Sequence, residues 1–298
     1  MRMRSRNRKH DFEFLFKYLS AETAIAVLNS QSLRHSSPLM FNDPFDVPRE
    51  WRGFTVHELE EAVVEQFSAY LRGDEPPRNT SALKLLEAYQ RSGRGDPEQF
   101  LQEVRFFFRL MVPTLAGHLA AFEAAYQELV PGKRILCFTE DATSPTMWAH
   151  YGDSHSGVVL QFETSDSRDS VWLMAQPVIY QDSKPRVPDA NEWVRSMMAE
   201  TPVDWDAYFR EFYFVKHSDW SYEREVRVVS AKKGTETGLF ADYVFHPEDL
   251  RGVILGARIH ENLERIIRGL VRIKYPHAIL SRARIDHDGR RIAIEPAL

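Results

Sequence analysis

The segment Glu223-Arg224-Glu225 places two carboxylates two residues apart in the chain. Polar and apolar residues alternate from there to Val228, which is typical of a β-strand with one polar face. Residues two apart on a strand face the same side, and repulsion between their charges would raise the pKa of one carboxyl group. We therefore predict that Glu223 and Glu225 are catalytic. The alternative is a solvated strand face on which Arg224 and Arg227 form ion pairs with the two carboxylates.

Four aromatic residues that carry a polar atom offer a second contribution to a site. They are Trp148, Tyr151, Trp220 and Tyr222. They could stack on a base or a nicotinamide ring, or they could pack in the core with their polar atoms satisfied. Cys137 lies in an apolar segment, which favours an inert core thiol. His150 and His155 do not match the spacing of a standard metal site, so no metal is expected.

The sequence Asn42-Asp43-Pro44 favours a turn through hydrogen bonds from side chain to backbone. The turn is either purely structural or orients a loop that lines the pocket. Phe41 and Phe45 flank it, and we expect both rings to hold the turn against the core.

Strands and helices are mixed along the chain without a regular βαβ period, which favours an α+β fold. The main predicted strands cover 14–18, 134–139, 157–162, 223–229, 250–255, 278–280 and 292–294. We predict that they form a mixed, largely antiparallel central sheet. Thr55 begins a capping box, and apolar residues follow it at helical spacing. The prediction is one α+β domain over residues 1–298, with a helical insertion over 55–130.

The chain has 298 residues and a net charge of −5, so no overall basic field indicates nucleic acid. Residues 1–10 are the exception, because they carry five basic side chains. We predict a basic flexible arm there, with a contact to phosphate groups as the alternative. No apolar run approaches the roughly 20 residues that span a bilayer, and no secretory signal is present. With one cysteine, this favours a cytoplasmic protein with no membrane partner.

The common nucleotide-binding and hydrolase fingerprints are absent from the sequence. A set of other motifs instead resembles a bacterial family, domain-of-unknown-function family 2971. The set comprises Lys17-Tyr18, FNDPF at 41–45, Cys137-Phe138-Thr139, MWAHYG at 147–152, Gly157-Val158, and Trp220 followed by YEREVR at 222–227. The resemblance runs from about residue 14 to residue 230 and implies no settled activity.

The order of three further elements resembles the ADP-ribosyltransferase superfamily, whose members hold NAD in a split α+β sheet. Those elements are a basic residue early (Lys17, or Arg34 and His35), Phe138-Thr139 in the middle, and the late Glu-x-Glu segment at 223–225. Lys17 stands where arginine or histidine is usual, and a Ser-Thr-Ser element is missing. The resemblance implies NAD as a substrate and a possible split in the sheet.

The resemblance also implies roles for particular residues. Glu225 would stabilise the oxocarbenium-like ribose or hold its 2′-hydroxyl, and Glu223 would orient the acceptor. The residues expected to bind NAD are Lys17, Tyr18, Arg34, His35, Asn42, Asp43, Thr139, Trp148, His150 and Tyr151. Of these, Tyr151 or Trp148 would stack on nicotinamide, and Lys17 or Arg34 would contact the pyrophosphate.

Three functional hypotheses remain open from the sequence. The first is an ADP-ribosyltransferase-like enzyme that uses NAD and a protein or nucleic-acid acceptor, as a bacterial toxin or an anti-phage effector. The second is a non-enzymatic module that senses a ligand or binds a partner in a defence or stress system. The third is a metal-dependent nuclease that uses Asp43, His150 and Glu223.

Overall fold

The computed structural model describes residues 4–48, 53–93, 95–183, 185, 188–199 and 204–297. These residues form twelve strands and eight α-helices. In chain order they are β1 (Phe14–Leu19), α1 (Ala21–Ser30), β2 (Ser32–Ser36), α2 (Val56–Arg72), α3 (Thr80–Ser92), α4 (Pro97–Leu129), β3 (Lys133–Thr139), α5 (Pro145–His150), β4 (Val158–Glu163), β5 (Gln176–Pro177), β6 (Ile179–Tyr180), α6 (Ala190–Ala199), α7 (Trp205–Phe214), β7 (Val215–Lys216), β8 (Glu225–Ala231), β9 (Phe240–Val244), β10 (Leu250–Leu255), α8 (Glu261–Lys274), β11 (Ile279–Asp286) and β12 (Arg291–Pro296).

The chain divides into two compact units. The sheet unit comprises residues 1–47, 130–184 and 213–298, and the helical unit comprises residues 48–129 and 185–212. The helical unit therefore includes a segment after residue 184 in addition to the predicted insertion over 55–130.

The main sheet of the sheet unit has the strand order β12-β11-β10-β4-β1-β3-β2-β9, with β8 paired to β3 and β5 paired to β8. Within this sheet, β10 and β11 are parallel and the other pairs are antiparallel. Strands β6 and β7 form a separate parallel pair. This topology confirms the predicted α+β fold with a mixed, largely antiparallel sheet.

Strand β3 is paired unequally on its two edges. One edge pairs with β8 over the whole length of β3, from Lys133 opposite Ala231 to Thr139 opposite Glu225. On the other edge, β1 pairs with β3 only where Phe16 lies opposite Thr139. Strand β1 pairs along its full length with β4 instead. The sheet is therefore weakly joined between β1 and β3, and the cavity described below is lined by both strands.

Strand β4 is apolar on both faces because each face is covered. Leu160 belongs to a buried cluster that includes Leu28 of α1 and Ile267 of α8. Its neighbour Val159 belongs to a different cluster that includes Trp148. Successive side chains of a strand point to opposite faces, so a continuous apolar run such as 158–160 is typical of a central strand.

Helix α5 and the loop after it lead into β4. The Ser144 side chain accepts a hydrogen bond from the Met147 N–H, as expected for a residue that caps a helix. The helix ends at His150, and Asp153, Ser154 and His155 all have positive φ. The chain therefore turns at these three residues.

Gly157 is required at the end of this loop. A Cβ atom there would lie 2.2 Å from the Leu19 carbonyl oxygen and 2.9 Å from the Gly152 carbonyl carbon. We expect Gly157→Ala to lower the free energy of unfolding by about 1–3 kcal/mol, because the backbone must move to admit the methyl group. Denaturant unfolding of the full chain measures this. Gly234→Ala is the matched control, since a Cβ at Gly234 meets nothing within 4 Å. Equal unfolding midpoints for the two variants would contradict the expectation.

The helical unit is built around an apolar cluster that α2, α3, α4 and α6 share. Its members include Phe67, Leu86, Phe100 and Val194. The predicted capping box is present, because Glu58 N–H donates to Thr55 Oγ1 at 3.2 Å and Thr55 N–H donates to Glu58 Oε2 at 2.6 Å. The longest helix of this unit, α4, continues through Pro113.

The basic segment at the N-terminus is held in place from residue 4 onwards. Arg8 binds Asp166 through two nitrogens, at 2.8 and 3.0 Å, and the Ser5 N–H donates to the same carboxylate. The hydrogen bond from Arg8 lowers the pKa of Asp166 to about 2. Ser5 and Arg8 of the segment predicted as a flexible arm therefore bind an acidic loop, and residues 1–3 lie outside the described residues. No helix in the described ranges is long and apolar enough to cross a membrane.

Candidate active site

A cavity of about 230 Å³ lies in the sheet unit, and five segments of the chain line it. Its lining residues are Phe16, Lys17, Tyr18, Met40, Phe41, Asn42, Asp43, Asp46, Cys137, Phe138, Thr139, Met147, Tyr151, Lys216, Trp220, Glu223 and Glu225. The cavity combines aromatic walls with charged groups, which is the composition of many small-molecule sites.

A buried network of charged side chains adjoins this cavity. Its members are Asp46, Lys216, Glu223, Glu225 and Arg227, and each exposes 7% or less of its surface. Buried charges are retained only when they are paired. Glu223 and Glu225 therefore do not lie on a solvated face, although the ion pair between Arg227 and Glu225 that this alternative included is present.

Glu225 is the most heavily paired carboxylate of the network. It accepts hydrogen bonds from Arg227 at 2.7 and 2.9 Å and from Lys216 at 3.2 Å. Burial acts to raise the pKa of Glu225, but the charges of Arg227 and Lys216 outweigh it and hold the pKa far below its ordinary value. Glu225 is therefore ionised, and it fixes the positions of both cations.

Glu223 has a different environment. It accepts hydrogen bonds from the Tyr151 hydroxyl at 2.6 Å and from Lys216 Nζ at 2.5 Å. Burial and the charge of Glu225 raise the pKa of Glu223 above its ordinary value, against the opposing effect of Lys216. The pKa values of the two glutamates are thus shifted in opposite directions, which is a pattern found in acid–base sites.

The two glutamates do not lie on one strand as the alternation indicated. Strand β8 begins at Glu225, whereas Glu223 is the last residue of a 3₁₀-helix over Ser218–Glu223. Arg224 joins them with a left-handed backbone, at φ 44°. Its guanidinium pairs with Glu140 instead of with either glutamate. The side chains therefore converge through a turn.

Lys216 and Asp46 belong to the site, and the sequence analysis missed both. Burial acts to lower the pKa of Lys216, but the carboxylates of Glu225, Asp46 and Glu223 outweigh it and raise the pKa. Lys216 is therefore a protonated cation inside the protein. The available signal was a single lysine directly after the apolar run 212–215, since lysine is rarely buried unless it is paired.

The structure brings eight of the twelve predicted site residues to the cavity. These are Lys17, Tyr18, Asn42, Asp43, Thr139, Tyr151, Glu223 and Glu225. Lys17 Nζ donates to the Cys137 carbonyl at 2.7 Å, and the Tyr18 hydroxyl donates to the Asp141 carbonyl at 3.1 Å. Four others, Arg34, His35, Trp148 and His150, do not line the cavity.

Trp148 and His150 lie on α5 but outside the cavity. Trp148 is completely buried, and its Nε1–H donates to the Ala142 carbonyl at 2.9 Å, so it is a core residue. His150 is exposed, with Nδ1 at 3.1 Å from the Tyr222 hydroxyl. Among the four predicted aromatics, only Tyr151 and Trp220 therefore face the cavity.

Arg34 and His35 lie on β2, and both contact residues of the neighbouring strand β9. Arg34 is exposed and pairs with Asp242 at 3.1 Å. His35 is buried, with its ring centroid 4.6 Å from that of Tyr243. Burial and the charge of Lys17 lower the pKa of His35 to about 4, so its ring is neutral near pH 7.

The predicted turn at 42–44 is present beside the cavity. The Asp43 carboxylate accepts a hydrogen bond from the Phe45 N–H at 2.8 Å, which is the local bond that favours this turn. Phe41 lines the cavity, but Phe45 is 83% exposed. The expectation that both rings hold the turn against the core is therefore wrong for Phe45.

The raised pKa of Glu223 makes a prediction about stability. The folded state retains the Glu223 proton to higher pH than the unfolded state, whose value is near 4.5. The stabilisation from this proton is full below pH 4.5 and is lost as pH rises through the folded-state pKa. We expect the stability of the wild type relative to Glu223→Gln to fall over that range in urea unfolding. A difference that does not vary with pH would contradict the expectation.

Cys137 lines the cavity next to Glu225. Burial, together with the charge of Glu225, raises the pKa of its thiol. This agrees with the interpretation of an unreactive thiol. No group of three or more His, Cys, Asp or Glu residues within the described part of the chain is arranged to hold a metal ion.

A comparison with protein families gives a match over part of the chain. Residues 147–228 match the family described as Protein of unknown function (DUF2971), which is the family that the motifs resemble. The matched region is shorter than the expected 14–230, and it contains Tyr151, Lys216, Glu223 and Glu225. No curated protein and no solved structure matches the chain.

Proposed function

We propose that this protein is an ADP-ribosyltransferase-like enzyme that uses NAD as its substrate. The observation that carries the proposal is Glu223, a buried carboxylate that lines an aromatic cavity and is held by Tyr151 and Lys216. The weak junction between β1 and β3 beside the cavity supports it, because the superfamily binds NAD in a split sheet.

The proposed reaction breaks the bond between the nicotinamide nitrogen and ribose C1′. The bonding electrons leave with nicotinamide, which departs as a neutral molecule, and positive charge develops on the ribose. A fixed anion in a site that excludes water stabilises such a charge. The acceptor then forms a bond to C1′ and loses a proton, for which Glu223 is the base. A carboxyl group with a raised pKa suits proton transfer near neutral pH.

Glu225 has a supporting role in this proposal. It accepts three hydrogen bonds from Arg227 and Lys216, whereas Glu223 accepts two, so the proposal assigns Glu223, not Glu225, to the reacting ribose. Glu223 thus takes both of the roles that the resemblance divided between Glu225 and Glu223. Glu225 keeps Lys216 in position to hold the Glu223 carboxylate.

The remaining lining residues fit the other parts of NAD. Tyr151, Trp220 and Phe41 provide aromatic surface for the nicotinamide ring. Lys17 uses one donor on the Cys137 carbonyl, and its ammonium group has further donors for the pyrophosphate. The acceptor is a protein or a nucleic acid.

The release of nicotinamide from NAD tests the proposal. The full chain is incubated with NAD alone, with added protein and with added nucleic acid, and free nicotinamide is measured over time. We expect release that depends on the protein and increases with the correct acceptor. No release under any of these conditions would contradict the enzyme. Binding of NAD without release would favour the ligand-sensing module instead.

A further inference from the structure

We propose that Asp46 makes the cavity selective for aromatic ligands that carry an N–H donor, such as a carboxamide or an amidine, over ligands that carry a carboxylate. The inference rests on the proposed function, because the carboxamide of the nicotinamide group in NAD is such a donor. Asp46 would then be the residue that selects this group.

The two carboxylate oxygens of Asp46 differ in their hydrogen bonding. Oδ2 accepts a hydrogen bond from Arg227 at 2.6 Å and lies 3.5 Å from Lys216 Nζ. Oδ1 is buried and has no hydrogen-bond partner among the described residues. Asp46 is only 3% exposed and lines the cavity. A buried acceptor without a partner is costly, so a ligand donor that reaches Oδ1 gains more than an ordinary surface hydrogen bond.

The buried network around Asp46 contains more carboxylates than cations. Three carboxylates, those of Asp46, Glu223 and Glu225, face two cations, Lys216 and Arg227. A ligand group that brings hydrogen-bond donors or positive charge complements this arrangement. A ligand carboxylate would place another acceptor against Oδ1, where two acceptors repel each other.

An aromatic ring, that of Phe41, lies near the Asp46 carboxylate. The guanidinium of Arg227, which holds Oδ2, lies 5.5 Å from the ring centroid of Phe41, and Phe41 also lines the cavity. An aromatic ring against Phe41 therefore has the carboxylate of Asp46 nearby. Rings that carry an amide or amidine substituent combine both features.

Asp46→Asn gives a sharp test because the contacts of the network orient the new amide. Arg227 requires an acceptor at the Oδ2 position, so the amide oxygen takes that position and the NH₂ group takes the position of Oδ1. The variant therefore presents a donor where the wild type presents an acceptor. Asp288→Asn, in the exposed turn between β11 and β12, is the matched control.

The experiment measures the binding of small probes by ligand-observed NMR. Nicotinamide and benzamidine carry donors, while nicotinate and benzoate present acceptors only. We expect wild type and Asp288→Asn to bind the donor probes about tenfold more tightly or better, and Asp46→Asn to lose or reverse that preference. Equal binding of both kinds, preference for carboxylates, or no binding in the wild type would overturn the inference. An unchanged preference in folded Asp46→Asn would also overturn it.

The outcomes for this inference are separate from those for the enzyme. If Asp46→Asn does not fold, the preference of the wild type alone decides. Selective binding of donor probes without turnover of NAD would remove the proposed reaction and keep the role of Asp46. Turnover of NAD without a preference that depends on Asp46 would keep the proposed reaction and remove the role of Asp46.

Discussion

Arg227→Met is expected to lower the free energy of unfolding by about 3–5 kcal/mol, because it removes one of the two cations that pair with the buried carboxylates. Arg227 is completely buried and binds both Glu225 and Asp46. The charge of a methionine side chain is zero, and its volume is similar, so the lost charge is the main change. Urea unfolding of the full chain measures the effect.

Arg224→Met is the matched control for Arg227→Met. The Arg224 side chain is 57% exposed and pairs at the surface with Glu140, so its loss should cost no more than about 1 kcal/mol. Adding Glu225→Gln to Arg227→Met should recover part of the stability, since one unpaired charge disappears. Stability of Arg227→Met within the range of the control would show that the network does not hold the fold.

Glu223→Gln is expected to lower the rate of nicotinamide release by about 10²–10⁴-fold. Glutamine has nearly the same shape and retains an oxygen that can accept from Lys216 or Tyr151, but it has no charge and cannot take a proton. The loss should therefore appear in kcat, while KM for NAD changes little. A steady-state assay of the purified variant gives both values.

Glu261→Gln is the control for the activity measurement. Glu261 is an exposed residue in the first turn of α8 and lies outside the cavity. It should leave kcat unchanged. If the kcat of Glu223→Gln stayed within about threefold of the kcat of this control, Glu223 would not be the base.

The sheet was predictable because its signals are local. Residues 158–160 form an apolar run, and each side chain in it belongs to a buried cluster on one face or the other. The family resemblance was also carried by local motifs such as MWAHYG. Alternating or continuous apolar runs depend only on the neighbours of each residue in the chain.

The network was only partly predictable because its pairing is non-local. Lys216 is stabilised by carboxylates at positions 46, 223 and 225, which two separate segments supply. No local pattern indicates that a lysine meets these groups. Trp148 and Tyr151 show the same limit, since both are amphipathic aromatics three residues apart, the first on α5 and the second directly after it. Only the packing of α5 against β4 determines that Trp148 enters the core and Tyr151 the cavity.

The length of α4 was not predictable for a related reason. Pro113 lacks an N–H, and a proline inside a helix usually ends or kinks it. The structure instead has a single helix from Pro97 to Leu129. Packing of its apolar residues, including Phe100 and Val104, in the helical unit stabilises the helix.

The crystal structure of Glu223→Gln with bound NAD tests the central claim most directly. The variant should bind NAD without consuming it. The account predicts that the nicotinamide ribose lies in the cavity, within about 3.2 Å of the side chain at position 223. It also predicts that the nicotinamide ring lies against Tyr151, Trp220 or Phe41. Nicotinamide ribose bound elsewhere, or a cavity that stays free of NAD at saturating concentration, would contradict the account.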